Sequence, residues 1–92
     1  MSMDEIYEQL VRLHQGLESF NEGLRQSITD VNQRHEKVDP FWQDSLRREY
    51  DSRWEPLKES MDAYVERTGP LYVEAIQQKL QQIIQYLNGN EY

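Results

Sequence analysis

Large apolar residues recur every seven positions through the first third of the chain: Met3, Leu10, Leu17, Leu24 and Val31. Ile6, Leu13 and Phe20 fill the intervening positions, and Ile28 continues the row. A heptad seam sustained over about four heptads specifies a long helix packed lengthwise on another helix. The opposite side is polar, so the helix is not surrounded by protein. Ser2 followed by Glu5 forms a capping-box signature at its start, and Asp4 and Glu5 suit the positive end of the helix dipole.

The punctuation that follows divides the rest of the chain. At Val38-Asp39-Pro40 the residue before proline is disfavoured in the helical region, and Asp then Pro is a usual helix start. A second helix is therefore expected from near Pro40. It carries Trp42, Leu46, Tyr50 and Trp54, spaced i, i+4 on one face, then Leu57, Met61, Tyr64 and Val65. Both tryptophans of the chain lie in that row, which reads as a helix–helix joint. Pro56 falls inside this helix, and the apolar row running through it favours a kink over a break. Thr68-Gly69-Pro70 reads as the stop of one helix and the start of another. The last helix carries Tyr72, Val73, Ile76, Leu80, Ile83, Ile84 and Leu87 and ends at Asn88-Gly89. Its polar side is rich in glutamine and reads as a solvated face, with a contact face as the alternative. Gly16 and Gly23 each cost the first helix about 1 kcal/mol relative to alanine. Seven residues apart, they mark either a close helix contact or tolerated surface glycines.

Composition narrows the function classes. The 92 residues make one domain, 1–92, near the small end of independent stability, for which a partner subunit is a useful extra source of burial. There is no cysteine, hence no disulfide framework and no thiolate site. The net charge of −7 is spread along the chain; it favours solubility and opposes binding to nucleic acid or an anionic membrane surface. Ordered carboxylate rows that would imitate DNA are broken by interleaved arginines. No apolar run reaches the ~20 residues of a bilayer span, and the acidic N-terminus does not resemble a secretory signal. The expected location is cytoplasmic, with export without a cleaved signal peptide as the other option.

Catalytic constellations are missing. There is no phosphate-cradling glycine loop and no zinc-protease motif. His14 and His35 stand roughly 31 Å apart on one straight helix, too far to share a metal. His35 with Glu36 and Asp39 reads as a solvated helix end, not a metal site. Carboxylates such as Glu49 and Glu55 alternate with Arg53 and Lys58, which is surface pairing, not a general acid–base pair. The chain is therefore read as non-enzymatic, with no cofactor, metal or small-molecule ligand.

The 42–54 segment resembles the WXG-motif family of small helical hairpins, the early-secreted-antigen-like proteins linked to type VII secretion. Trp42 takes the motif Trp position, and Leu46, Tyr50 and Trp54 take the small or apolar, aromatic and large positions that follow at +4, +8 and +12. The pattern spans most of residues 3–68. Two features depart from it. Asp44 stands where the motif has glycine, so the turn motif is Trp42 with Asp44. The export pattern, Tyr with an acid four residues later, is not met, since Tyr64, Tyr72 and Tyr86 are followed there by Thr68, Ile76 and Asn90. The resemblance implies a non-enzymatic helical module acting as an exported substrate or as its carrier. The alternative is a cytoplasmic adaptor or regulatory subunit unrelated to secretion.

The fold expected is all-α, with helices near 3–37, 41–68 and 71–88. An antiparallel hairpin with a kinked or broken second arm is preferred, pairing as a four-helix-bundle homodimer or with a paralogous helical partner. A monomeric three-helix bundle is the alternative. The expected helix-interface residues are Leu10, Leu13, Leu17, Phe20, Leu24, Leu46, Tyr50, Trp54, Leu57 and Met61.

Overall fold

In the computed structural model, which describes residues 2–89, the chain is an extended helical hairpin of 66 × 19 × 18 Å. The first arm is α1, Met3–Val38. A 3-10 turn, Asp39–Phe41, leads into the second arm, which is built from α2 (Ser45–Ala63), a π-helical turn (Tyr64–Thr68) and α3 (Gly69–Leu87). There is no strand among the described residues. The radius of gyration is 20.2 Å, against about 12 Å for a compact domain of this length.

Both outer ends follow the sequence. The Ser2 hydroxyl accepts from the Glu5 backbone N–H at 3.2 Å and caps α1. At the far end Gly89 takes φ 75°, and the Asn88 N–H bonds the Ile84 carbonyl, closing α3. That left-handed position is where glycine stops a helix without a Cβ penalty.

The two internal boundaries differ from expectation. Asp39 does not cap the second helix. Although it precedes proline, it remains right-handed helical (φ −49°, ψ −46°), with its N–H on the His35 carbonyl. A charged contact described below compensates this disfavoured placement. The second helix starts later, at Ser45, and its N-cap is Asp44, whose carboxylate accepts from the Arg47 N–H at 3.1 Å.

Gly69-Pro70 does not end a helix. Pro70 has no N–H to give, and its ring would collide with the carbonyl four residues back in a regular α-helix. The chain widens instead into the π turn, with the Gly69 N–H bonded to the Tyr64 carbonyl, and continues into α3. Such one-turn insertions absorb a local misfit without breaking the helix. The third helix therefore extends the second, giving a hairpin and not a three-helix bundle. Pro56 likewise lies inside α2 without ending it.

The interior is thin. Among the described residues, the buried apolar side chains are Ile28, Val65 and Ile83, and the buried polar one is Asn21. The seam of α1 facing the second arm combines Leu10, Leu17, Leu24 and Val31, all half-buried, with the line Tyr7, His14, Asn21, Ile28 and His35. The second line sits four residues after each member of the heptad row, where the sequence reading took Ile6, Leu13 and Phe20, three residues after. Four of its five members carry polar atoms. Leu13 and Phe20 turn outward instead, 51% and 56% exposed.

Candidate functional site

Two features of the hairpin carry its specific chemistry: the closed tip and one apolar flank.

At the tip, Trp42 has extended backbone and its N–H bonds the Val38 carbonyl at 3.1 Å. Its indole Nε1 donates to Asp44 Oδ1 at 2.9 Å, and its ring lies 5.5 Å from that of Tyr50. Asp44 thus holds both the Trp42 indole and the Arg47 N–H. A glycine at this position could do neither, which gives the departure from Trp-x-Gly a physical basis. Asp44→Ala should cost about 1 kcal/mol through the lost cap, and Asp44→Gly less through the cap alone. Urea unfolding of both variants checks the order. Equal stability of all three proteins would remove Asp44 from the joint.

Arg47, absent from the sequence reading, is the hub of the tip. Its guanidinium donates to the Trp42 carbonyl at 3.0 Å, to Asp39 Oδ1 at 3.0 Å and to Asp51 Oδ1 at 2.9 Å. It also lies 5.7 Å from the Trp42 ring centroid, a cation–π distance. The hydrogen bond to Asp51, more than the neighbouring charges, raises the Arg47 pKa above its ordinary value, while burial opposes it. One side chain therefore ties the end of α1, the turn and the first turns of α2 together. Its sequence signal is carboxylates eight residues before and four residues after.

The contact between the arms at this end is made by His35, not by Trp42. The His35 ring packs edge-on against Trp54 at 4.9 Å and Tyr50 at 5.5 Å, with Nε2 2.6 Å from the Tyr50 hydroxyl. Trp42 covers the first turns of α2 from outside. Trp42→Ala should lose about 2 kcal/mol of stability, as expected for a half-buried indole. Thermal unfolding checks it, and an unchanged midpoint would show that the turn closes without the ring.

Along the arms the two flanks differ. One is charged: Glu18, Glu22 and Arg25 of α1 share a cleft with Glu74 of α3, and Glu36 shares another with Asp51, Glu55 and Lys58. Lys58 turns to Asp62 (2.7 Å), not to Glu55, and the Asp62 hydrogen bond raises its pKa. The other flank carries the exposed apolar side chains, with the Glu49–Arg53 pair on its α2 side. There Phe20 meets Tyr64 edge-on at 5.9 Å, Tyr64 meets Tyr72 at 6.2 Å, and Phe20, Leu24, Ser60, Met61 and Tyr64 line an open cleft of about 220 Å³. Helical spacing places Leu46, Tyr50 and Leu57 on the same side of α2 as Tyr64. Leu46 is 64% exposed and Leu57 52%.

The ten expected interface residues thus divide. Leu10, Leu17, Leu24, Trp54 and Met61 are half-buried along the seam, and Tyr50 reaches it through His35. Leu13, Phe20, Leu46 and Leu57 stand on the exposed flank. Gly16 and Gly23 lie on that side of α1 too, and a Cβ at either would meet nothing within 4 Å. They serve no close contact among the described residues.

Among the described residues, no group of three or more histidine or acidic side chains is placed to hold a metal ion. No described helix is long and apolar enough to cross a membrane. Fold and site define a helical hairpin closed by a Trp–Asp–Arg tip and exposing large apolar side chains along one flank. Searches with protein-family models, curated proteins and solved structures find no match to this chain.

Proposed function

We propose that this chain is a non-enzymatic helix-pairing module of the WXG-like, secretion-associated kind, working as an exported substrate or as the carrier of one. The observation that carries the reading is the exposed apolar flank of the hairpin. His14, Asn21 and His35 share the seam with Leu10, Leu17, Leu24 and Ile28, while Leu13, Phe20, Leu46 and Leu57 face outward. Large apolar side chains gathered on one flank of a soluble chain mark a protein-contact surface. Trp42 in the turn, with Leu46, Tyr50 and Trp54 following it along the second arm, supports the family resemblance.

A second reading has its own support. The acid expected four residues after an export-signal tyrosine is not present after Tyr64, Tyr72 or Tyr86. That favours a cytoplasmic adaptor using the same flank to hold another protein. Fractionation of unlysed host cells separates the two. Full-length protein in the medium is the result expected for the secretion-linked role. Strict retention in the cytosol would overturn export and leave the adaptor.

A further inference from the structure

We infer that the charged cleft beside the π turn is the seat of a lysine side chain from a partner polypeptide. The cleft lies on the flank away from the exposed apolar side chains, so this contact goes beyond the helix-pairing reading.

Unbonded polar groups mark the place. The cleft, of about 280 Å³, opens between α1 and the start of α3, and Asn21, Val65 and Pro70 are among the residues that line it. In an α-helix the Val65 carbonyl takes the N–H of residue 69, and in a π turn that of residue 70. Gly69 gives its N–H to the Tyr64 carbonyl, and Pro70 has none. The Val65 carbonyl is therefore left without a main-chain donor at either spacing. Asn21 is only 8% exposed; its Oδ1 takes the Tyr64 hydroxyl, and its Nδ2 donates to no group among the described residues. Nearly all buried polar groups in folded proteins are bonded, so a free donor and a free acceptor in one cleft point to a ligand.

Charge selects the ligand. Glu18, Glu22 and Glu74 line the cleft against the one guanidinium of Arg25. Arg25 and Gln26 hold Glu22. Glu18 Oε1 meets His14 Nδ1 at 3.1 Å, which leaves Oε2 open. Glu74 has no side-chain partner among the described residues. The open acceptors are thus the Val65 carbonyl, Glu18 Oε2 and the Glu74 carboxylate, offered by the π turn, α1 and α3. An ammonium has three rotatable donors and suits acceptors on separate elements, whereas the planar fork of a guanidinium suits one bidentate carboxylate.

The rest of the lining selects a lysine within a chain over a free amine. Val65, Pro70 and Val73 give an apolar wall on which a methylene stem lies while its charge stays at the carboxylates. The Asn21 N–H calls for a neutral acceptor, since the acidic rim repels an anion. A main-chain carbonyl of the incoming segment supplies it. The net charge of −7 draws such a basic segment in.

Titration of the isotope-labelled chain, followed by nuclear magnetic resonance, tests the inference, because the Asn21 side-chain amide and the Val73 main-chain N–H report from the cleft. The probes are a capped Gly-Lys-Gly tripeptide, its norleucine counterpart and butylamine. The lysine peptide is expected to shift both signals saturably, and the norleucine peptide to leave them in place. Butylamine, with no carbonyl for Asn21, should bind more weakly. Glu74→Gln, at an exposed position, should weaken the lysine peptide about two- to fivefold, the range of one partly exposed ion pair. An unmoved Asn21 amide, an equal response to norleucine, or a Glu74→Gln chain that binds like wild type overturns the site. So does an Arg47 side-chain signal at the tip that moves in parallel, since that reports general attraction to the net charge. Butylamine that binds as tightly as the peptide overturns the polypeptide source. None of these outcomes depends on export or on the apolar flank, so failure here leaves the proposed function standing.

Discussion

Ile83→Ala is expected to remove about 3 kcal/mol of unfolding free energy, the typical cost of truncating a well-buried isoleucine. Ile83 is 3% exposed, the most buried of the three apolar side chains that form the interior among the described residues. It lies on α3, in the part of the second arm that packs along α1. Small domains have only about 5–15 kcal/mol of stability in total, so the loss is a large share. Leu71→Ala on the same helix serves as the control. Leu71 is exposed and should change stability by less than about 0.5 kcal/mol. Urea unfolding followed by helicity, at one fixed protein concentration so that association does not shift the baseline, measures both. An Ile83→Ala protein as stable as the Leu71 control would mean that the open end of the hairpin is not packed in solution.

The sequence made some of this architecture plain and hid the rest for identifiable reasons. Helix ends set by local chemistry were legible: Ser2 with Glu5 at one end, Asn88-Gly89 at the other. A cap is a contact between near neighbours, and the residues involved have few other uses. Ends decided by tertiary contacts were not legible. Asp39-Pro40 reads as a helix start, yet Arg47 takes the Asp39 carboxylate and Asp44 supplies the cap. Gly69-Pro70 reads as a break, and the π turn that carries the chain across it has no signature in helix propensity.

The seam misled in a different way. Leu10, Leu17, Leu24 and Val31 fix one line of contact, but the second line can sit three or four residues further on. Apolar content alone selects Leu13, Phe20 and Ile28; the hairpin keeps Ile28 and takes His14 and Asn21 in place of the other two. A polar residue in a seam is invisible to a count of apolar positions, so one stripe was read where the molecule has two. Of the tip, Trp42, Tyr50 and Trp54 were legible from their spacing, and Asp44 only as the departure from Trp-x-Gly, not as the cap it is. Arg47 was not, because its partners Asp39 and Asp51 gather only once the turn has formed.

Gly69 is the residue whose replacement should reveal the register of the two arms. A Cβ built there lies 2.9 Å from Asn21 Nδ2 and 3.0 Å from its Cγ and Oδ1, all inside van der Waals contact. The amide cannot move away freely. Asn21 is buried, and its Oδ1 accepts from the Tyr64 hydroxyl at 2.8 Å. Tyr64 opens the π turn and also packs on Phe20 and Tyr72, so displacing Asn21 disturbs three further side chains. Gly69→Val should therefore cost about 3 kcal/mol, the upper end for overpacking a fitted site. Asn21→Ala alone should cost about 1–2 kcal/mol, leaving the Tyr64 hydroxyl without its partner. The double variant provides the discriminating measurement. With the amide gone, the valine gains space, so the double variant should lose less than the sum of the two single losses, by about 1 kcal/mol or more. Strict additivity in urea unfolding would mean that Gly69 and Asn21 do not touch. The π turn would then no longer fix how α1 and the second arm align.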